Sequence, residues 1–324
     1  MQRALYHVKA TDRPHSSDAA IVVRSRLGYE TPQVQRILTG LCHHVFSVTA
    51  ADEQKFVVRI GTPATKRLLE GGIYWNRVLR PIGVPLPKML AADLEPLEIH
   101  FPFVILERMP GTDLGLIYQT LSSSEKLGIV SELVRIQKEV SELPEASSFG
   151  YAYSYSEPPE HQSWAGVVLA ILGRARQRMS RSDHPGFSWV ERATRILDRH
   201  ESYFAAIRPA AFLDDTTTKN VLVDQGRLSG VVDVDQLCFG DPLLTIGLTQ
   251  TALLGEAFSV DYVEHWMNLL ELGTQQRKIV QAYTLLFCVD FMSEFGQRFN
   301  RDETPEFNAA RFARLESVFE DLTE

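Results

Sequence analysis

Residues 212–242 read FLDDTTTKNVLVDQGRLSGVVDVDQLCFGDP, and this stretch decides the fold. Residues 221–223 predict a short apolar strand, 224–226 (DQG) a turn, and 228–232 the returning strand. The sequence before and after this stretch has a helical pattern. We therefore expect a small hairpin inside a mainly helical region, with acidic residues at both ends of the hairpin.

Three oxygen-bearing side chains flank the predicted hairpin. Asp215 precedes Asn220 by five residues, and Asp233 ends the second strand. Because the arms of a hairpin fold together, Asn220 and Asp233 are expected at the same end. Mg²⁺ prefers hard oxygen ligands and takes only one or two from protein, so these two are candidate ligands. Asp215 is a candidate base for a substrate hydroxyl. The alternative is an ordinary loop, since Asp, Thr and Asn are also common in turns.

The first hundred or so residues predict strands with one helix. Residues 45–49 (VFSVT) and 55–60 (KFVVRI) flank a polar segment, which is a hairpin pattern. Residues 65–79 predict the helix, and 97–107 (LEIHFPFVILE) predict a further strand. The sequence Met109-Pro110-Gly111 interrupts both patterns, so we expect a lobe boundary there, with one lobe at 1–109 and the other at 110–324.

Helices dominate the predicted second lobe. Ser122 and Glu125 have the spacing of a capping box that opens a helix. Residues 149–163 predict a loop, and Thr274 is expected to cap a long helix that is apolar nearly all round and therefore buried. The further helices are expected at about 164–179, 187–206, 258–271, 274–295 and 304–322.

Composition excludes several classes of partner. The chain has 324 residues, 44% of them hydrophobic, which is enough for two lobes. Its net charge of −8 without a basic stripe argues against nucleic acid and against anionic membrane surfaces. The three cysteines are scattered and form no disulfide framework, so we expect a reducing, cytoplasmic location. The sequence leaves the oligomeric state open.

The order of these motifs resembles that of the aminoglycoside phosphotransferases, a family that is similar to choline, homoserine and fructosamine kinases. The family pattern runs H-G-D-x-x-x-x-N, then I-D-W after a hairpin, then G-D-P. The chain has the counterpart of the first motif at 213–220, GVVD at 230–233 and GDP at 240–242. The resemblance implies an α+β, bilobal, protein-kinase-like fold with a small β-rich lobe and a larger helical lobe. It also implies ATP or GTP in the cleft together with Mg²⁺.

The resemblance also implies roles for the residues around the hairpin. Asp215 corresponds to the catalytic base, and Asn220 and Asp233 correspond to the Mg²⁺ ligands. The family's His-Gly before the base is replaced here by Leu213-Asp214. Asp214 places a second carboxylate beside the first, and like-charge repulsion is expected to raise one pKa.

Five further residues correspond to nucleotide-contacting positions of the family. Arg59 lies where the family has a phosphate-contacting Lys or Arg, with Glu70 as its candidate ion-pair partner. Gly40 falls in the position of the nucleotide loop, where a plain hairpin turn is the alternative. Glu107 and Met109 fall where the linker backbone meets the adenine.

The expected substrate is a small molecule with a hydroxyl group. Only a few residues separate Asp233 from Gly240, so there is no room for the activation segment that a protein kinase needs. Two alternatives remain open. One is a nucleotide-binding pseudokinase without turnover, motivated by Leu213-Asp214. The other is a metal-dependent hydrolase that would use the carboxylates at 214, 215, 233 and 235.

Overall fold

The computed structural model describes residues 13–38, 42–180, 187–299 and 304–323. These residues form two compact units. The first comprises the chain up to Ile73, with Lys88–Arg108 and Phe299. The second comprises Tyr74–Pro87, Met109–Arg298 and residues 304–323. The predicted lobes at 1–109 and 110–324 stay a prediction.

The first unit is built on a five-stranded antiparallel sheet with the order β1-β2-β3-β5-β4. Alternate residues of β2 and β3 are buried, because successive side chains of a strand point to opposite faces. The buried face of the sheet packs with a helix, α1. The elements are α1 (Ser16–Leu27), β1 (Gln33–Ile37), β2 (His44–Thr49), β3 (Lys55–Ile60), α2 (Lys66–Leu79), β4 (Met89–Asp93) and β5 (Phe103–Glu107).

The predicted hairpin at 45–49 and 55–60 is confirmed, the strand expected over 97–107 is confirmed in part, and the expectation of a single helix in this region is wrong. Helix α1 is a second helix that the sequence did not predict. It buries only Ala19, Val22 and Val23, too few positions for a clear helical period. The strand expected over 97–107 is formed only from Phe103 onward, because Pro102 has no N–H to donate to a sheet.

The second unit is mainly helical and holds most of the buried apolar side chains. Its helices are α3 (Leu114–Ile117), α4 (Ser123–Ser141), α5 (Trp164–Met179), α6 (Phe187–Asp198), α7 (Glu201–Ala205), α8 (Leu243–Gly255), α9 (Asp261–Leu269), α10 (Thr274–Glu294) and α11 (Ala309–Asp321). Two small antiparallel sheets have the orders β10-β9-β6 and β7-β11-β8. Their strands are β6 (Thr112–Asp113), β7 (Gly150–Ala152), β8 (Ala211–Phe212), β9 (Val221–Asp224), β10 (Arg227–Val231) and β11 (Leu237–Phe239).

Local sequence signals account for much of this unit. The Ser122 capping box is confirmed, since the Ser122 amide donates to Glu125 Oε2 at 2.8 Å and the Glu125 amide donates back to Ser122 Oγ at 3.3 Å. Helix α10 is buried nearly all round, as predicted. Its cap is Gly273 rather than Thr274, and the expected loop at 149–163 contains the strand β7.

Candidate functional site

The β9–β10 hairpin forms where the sequence predicts it. Asp224 pairs with Arg227 across a two-residue turn, in which Gln225 and Gly226 have φ angles of 50° and 75°. Two consecutive positive φ angles are the feature of the type I′ turn, whose twist suits a tight hairpin. At the open end, the Val232 amide donates to the Asn220 carbonyl at 2.9 Å. The pairing thus places Asn220 opposite Val232, the neighbour of Asp233.

The segment between Asp215 and Asn220 is a compact turn that positions both side chains. The Asn220 side-chain amide donates to the Asp215 carbonyl at 3.1 Å. The Asn220 main-chain amide donates to the Thr217 carbonyl at 3.0 Å. The Thr217 hydroxyl in turn donates to Asp215 Oδ1 at 2.7 Å, and the Asp215 side chain is exposed. The carboxylate is therefore oriented by its own loop and open to solvent.

Leu213, at the position of the family's histidine, is fixed through its backbone. The Leu213 amide donates to Gln137 Oε1 at 3.0 Å, and Gln137 Nε2 donates to the Leu213 carbonyl at 2.7 Å. The Thr245 hydroxyl donates to the same carbonyl at 2.9 Å. Sequence reasoning did not identify Gln137 as part of this site. The residue could have been noticed because it is polar but occupies a position in the apolar period of α4, where a buried polar side chain needs a hydrogen-bond partner.

Asp214 has an environment different from that of Asp215. Burial, and secondarily the charge of Asp215, raise the pKa of Asp214 to about 7, while the positive charge of Arg174 acts in the opposite direction. Burial and the charge of Asp214 also hold the pKa values of Tyr151 and Cys238 well above their usual range. Like-charge repulsion between Asp214 and Asp215, which the sequence predicts, thus contributes to the raised pKa of Asp214 but is a smaller cause than burial.

The Gly240-Asp241 pair anchors the end of the motif in the core. Gly240 has a φ of 155°, and a Cβ there would lie 2.1 Å from the Trp164 ring. Asp241 is buried and accepts from the Leu243 amide at 3.0 Å, at the start of α8, and from the Tyr283 hydroxyl at 2.7 Å. Burial raises the pKa of Asp241 in spite of these bonds. Its role in this structure is to hold α8 and α10 in place.

Asp290 lies on α10 and is the buried centre of an ion-pair cluster. Its Oδ2 lies 3.0 Å from Arg174 Nη2, and its Oδ1 lies 3.0 Å from Arg178 Nη1. One turn further along α10, Glu294 Oε1 lies 3.7 Å from Arg178 Nη1. The Asp290 carboxylate is therefore buried and paired with both arginines.

The structure places two of the predicted nucleotide contacts on strand β3 and helix α2. Arg59 lies on the partly exposed face of β3, since Val58 and Ile60 take the buried face. Glu70 lies on α2, and its ion pair with Arg59 stays a prediction. Position 70 precedes Gly71-Gly72 in α2, and the side chains of Leu69 and Ile73 face the apolar cluster there.

The other predicted nucleotide contacts lie in different surroundings. Glu107 ends β5 and its Oε1 accepts from the Lys88 amide at 2.6 Å. Met109 belongs to the second unit, and its side chain lies against Gly230, where a Cβ would be 2.6 Å from Met109 Cε. Gly40 lies outside the described residues. The roles predicted for all these residues stay predictions.

Comparison with known proteins identifies the family. Residues 33–278, well over half of the chain, match the model of the phosphotransferase enzyme family. The chain belongs to this family. No curated protein matches it. In the part of the chain that the structure describes, no helix combines the length and apolar character needed to cross a bilayer.

Solved structures confirm the predicted α+β, protein-kinase-like fold. A thermostable variant of aminoglycoside phosphotransferase APH(4)-Ia, in complex with ADP and hygromycin B, is 16% identical, with a TM-score of 0.67 over 93% of this chain and 98% of that chain. The streptomycin–ATP complex of APH(2'')-IIa is 12% identical, with a TM-score of 0.64 over 95% and 97%. A GDP complex of aminoglycoside 2'-phosphotransferase-IIIa is 14% identical, with a TM-score of 0.67 over 95% and 97%.

Proposed function

We propose that this protein is a small-molecule kinase that transfers the terminal phosphoryl group of ATP or GTP to a substrate hydroxyl. Its family and the nucleotide complexes of similar structures support the class of reaction. The observation that carries the proposal is the loop that locks Asp215 and Asn220 together and presents the Asp215 carboxylate to solvent.

Asp215 is the proposed catalytic base. Phosphoryl transfer depends more on positioning and charge stabilisation than on a strong base, so the base must hold the acceptor hydroxyl in line. The Thr217 hydroxyl bonds to Asp215 Oδ1 and so limits rotation of the carboxylate. In this role Asp215 accepts the proton of the acceptor hydroxyl as its oxygen forms the new bond to phosphorus.

Asn220 and Asp233 are the proposed Mg²⁺ ligands, and their donor atoms fit that ion. Asn220 uses its Nδ2 on the Asp215 carbonyl, so its Oδ1 is left as the acceptor. Asp233 is a non-glycine residue with a φ of 64°, a conformation found disproportionately at functional sites. No group of three or more His, Cys, Asp or Glu side chains among the described residues could hold a metal, but Mg²⁺ needs only one or two protein ligands. When bound, Mg²⁺ supplies neutralisation of the phosphate charge.

The nucleotide-contacting roles come from the family positions alone. Arg59 is the proposed phosphate contact, and Gly40, Glu107 and Met109 are proposed to lie near the nucleotide. Glu70 is proposed as the ion-pair partner of Arg59. A cytoplasmic location also stays a prediction.

The test is phosphoryl transfer with a matched pair of variants. The protein is incubated with MgATP or MgGTP and a broad panel of hydroxyl compounds, and the phosphorylated product and the nucleoside diphosphate are both measured. Asp215→Asn should lower kcat by about 10²–10⁴-fold, the usual contribution of a general base. Asp224→Asn, at the turn end of the same hairpin, should leave kcat unchanged.

Three outcomes separate the candidate functions. Product formation that depends on Asp215 supports the kinase. Nucleotide binding without product from any acceptor supports the pseudokinase. Stabilisation by Mg²⁺ or Mn²⁺ alone, with no effect of any nucleotide on the melting temperature, supports the metal-dependent hydrolase.

A further inference from the structure

Two arginines on α5 hold the buried carboxylate of Asp290, and they do so in different ways. The Arg178 side chain is only 19% exposed and reaches Asp290, Ser293 and Glu294. The Arg174 side chain is 45% exposed, although it is one turn away on the same helix. Arg178 is therefore the buried partner of the cluster, and Arg174 presents part of its guanidinium to solvent.

The geometry of Arg174 leaves one edge of its guanidinium available. Its Nε and Nη2 donate to Asp290 Oδ1 and Oδ2 at 3.4 and 3.0 Å. Within the described ranges, its Nη1 donates to no protein group. An arginine that a carboxylate holds along one edge is a rigid donor along the other, and this planar fork suits carboxylate and phosphate oxygens.

Arg174 lies close to the proposed catalytic loop. Its charge acts on Asp214, the neighbour of Asp215, and on Tyr151. Tyr151 lies opposite Cys238 in the sheet, and Cys238 lies opposite Phe212, two residues before Asp214. Helix α5, which carries Arg174, packs on this sheet, because a Cβ at Gly150 of β7 would lie 3.5 Å from Val167 of α5.

The charges around this site offset one another. Burial and Asp290 raise the pKa of Glu294, while Arg178 and Lys219 act in the opposite direction. Lys219 also adjoins Asn220 in the chain. Arg174, Arg178 and Lys219 thus offset part of the negative charge of the carboxylates around the site. A substrate with several ammonium groups would be attracted less strongly here than by a purely acidic pocket.

We propose that the acceptor is a hydroxyl compound that carries an anionic group, a carboxylate or a phosphate monoester, and that Arg174 binds this group. The proposal rests on the proposed kinase function. It assigns Arg174 as a specificity-determining residue and Asp290 as the residue that positions it. It also distinguishes this chain's substrate from the hygromycin B and streptomycin that are bound in the similar structures.

The test uses two sets of compounds, each with one carbon skeleton and a neutral, anionic or cationic substituent. One set is glycerol, glycerate, glycerol phosphate and aminopropanediol. The other is glucose, glucuronate, a glucose monophosphate and glucosamine, with hygromycin B and streptomycin added. Binding is measured by calorimetry in the presence of ADP and Mg²⁺. In at least one set an anionic member should bind at least about 10-fold more tightly than its neutral counterpart, as expected for one charged hydrogen-bonded pair.

Two variants on the same helix locate the effect. Arg174→Gln should reduce this preference to less than about 2-fold, while Arg176→Gln, two residues along α5, should leave it intact. Equal binding of charged and neutral members, tighter binding of an ammonium compound, a preference that survives in Arg174→Gln, or no binding by any anionic member overturns the proposal. Comparison of the carboxylate with the phosphate arm decides between the two anions.

Transfer assays on the same compounds keep the two proposals distinguishable. Phosphorylation of an aminoglycoside or of a neutral sugar would leave the kinase function standing and refute the anionic acceptor. Arg174-dependent binding of an anionic compound without any phosphoryl transfer would support the ligand class and refute the kinase function.

Discussion

Replacement of Asp214 by asparagine should make the folded protein more stable at alkaline pH. The Asp214 carboxyl is partly buried, and its pKa is raised from 3.8 to about 7, mainly by loss of hydration and secondarily by the charge of Asp215. Between these two pH values the folded state binds a proton that the unfolded state has released. The free energy of unfolding therefore falls as pH rises through this window.

The structure sets the size of this effect. One pKa unit corresponds to about 1.4 kcal/mol, so a rise from 3.8 to about 7 corresponds to about 4 kcal/mol at pH values above both. Because Asp214 is only partly buried, solvent reduces this figure, and we expect about 2 kcal/mol. Asparagine keeps the shape and one acceptor oxygen of the side chain but has no charge to desolvate, so it should remove this contribution.

Chemical denaturation at pH values from about 3.5 to about 8.5 measures the difference. The Asp214→Asn variant and the wild type should have similar stability at the acidic end, the advantage of the variant should grow as pH rises from about 4 to about 7, and it should stay constant above about 7. Asp215→Asn is the matched control. It should lower the pKa of Asp214 only in part, because it removes the charge of Asp215 and leaves the larger cause, the burial of Asp214. A constant stability difference between Asp214→Asn and wild type over the whole range would refute the reasoning.

Three further variants test the other parts of the site. Asp233→Ala should abolish the Mg²⁺-dependent rise in melting temperature caused by nucleotide, and an unchanged rise would remove Asp233 from the metal site. Arg59→Ala should weaken nucleotide binding by about 1–3 kcal/mol, as for a charged hydrogen bond, and an unaltered calorimetric affinity would mean a surface arginine. Gln137→Met should cost about 1–3 kcal/mol of stability, because it fills the same volume but leaves the Leu213 amide unpaired. An unchanged midpoint in guanidinium denaturation of Gln137→Met would refute the hydrogen-bond explanation.

The elements that sequence predicts well are those with a local cause. The β9–β10 hairpin has its turn residues and two apolar arms within a short segment, and α4 has a complete capping box. The strands β7, β8 and β11 have only two or three residues each, and their pairing joins segments far apart in the chain. No local period can reveal such strands, because their hydrogen bonds depend on the packing of the helices around them.

The same limit separates the predicted from the unpredicted residues of the site. Asp215, Asn220 and Asp233 could be predicted from sequence because they flank one hairpin within a short segment. Gln137 and Arg174 act on Leu213 and Asp214, just before that segment, from α4 and α5, and nothing in their local sequence indicates the partner. The residues predicted from the family motif thus lie in one contiguous segment, while the support of the loop comes from residues brought near by the fold.

The choice between kinase and pseudokinase depends on whether Leu213-Asp214 disturbs the loop, and the structure gives a physical reason why it need not. The backbone of Leu213 is bound on both sides by Gln137 and again by Thr245. Asp233, the proposed metal ligand after the hairpin, has a φ of 64°. This backbone conformation costs of order 1–3 kcal/mol and persists only where the surrounding structure enforces it. Here the amides of Val231 and Val232 donate to the Pro85 and Asn220 carbonyls, each at 2.9 Å, and fix the residues before it. Two segments whose backbones are fixed in this way would be pre-organised for phosphoryl transfer, because the barrier of that reaction is lowered chiefly by positioning. With Leu213-Asp214 in place of the family's His-Gly, Gln137 and Thr245 support the loop. We therefore expect that the result of a turnover assay will depend on which acceptor compound is supplied.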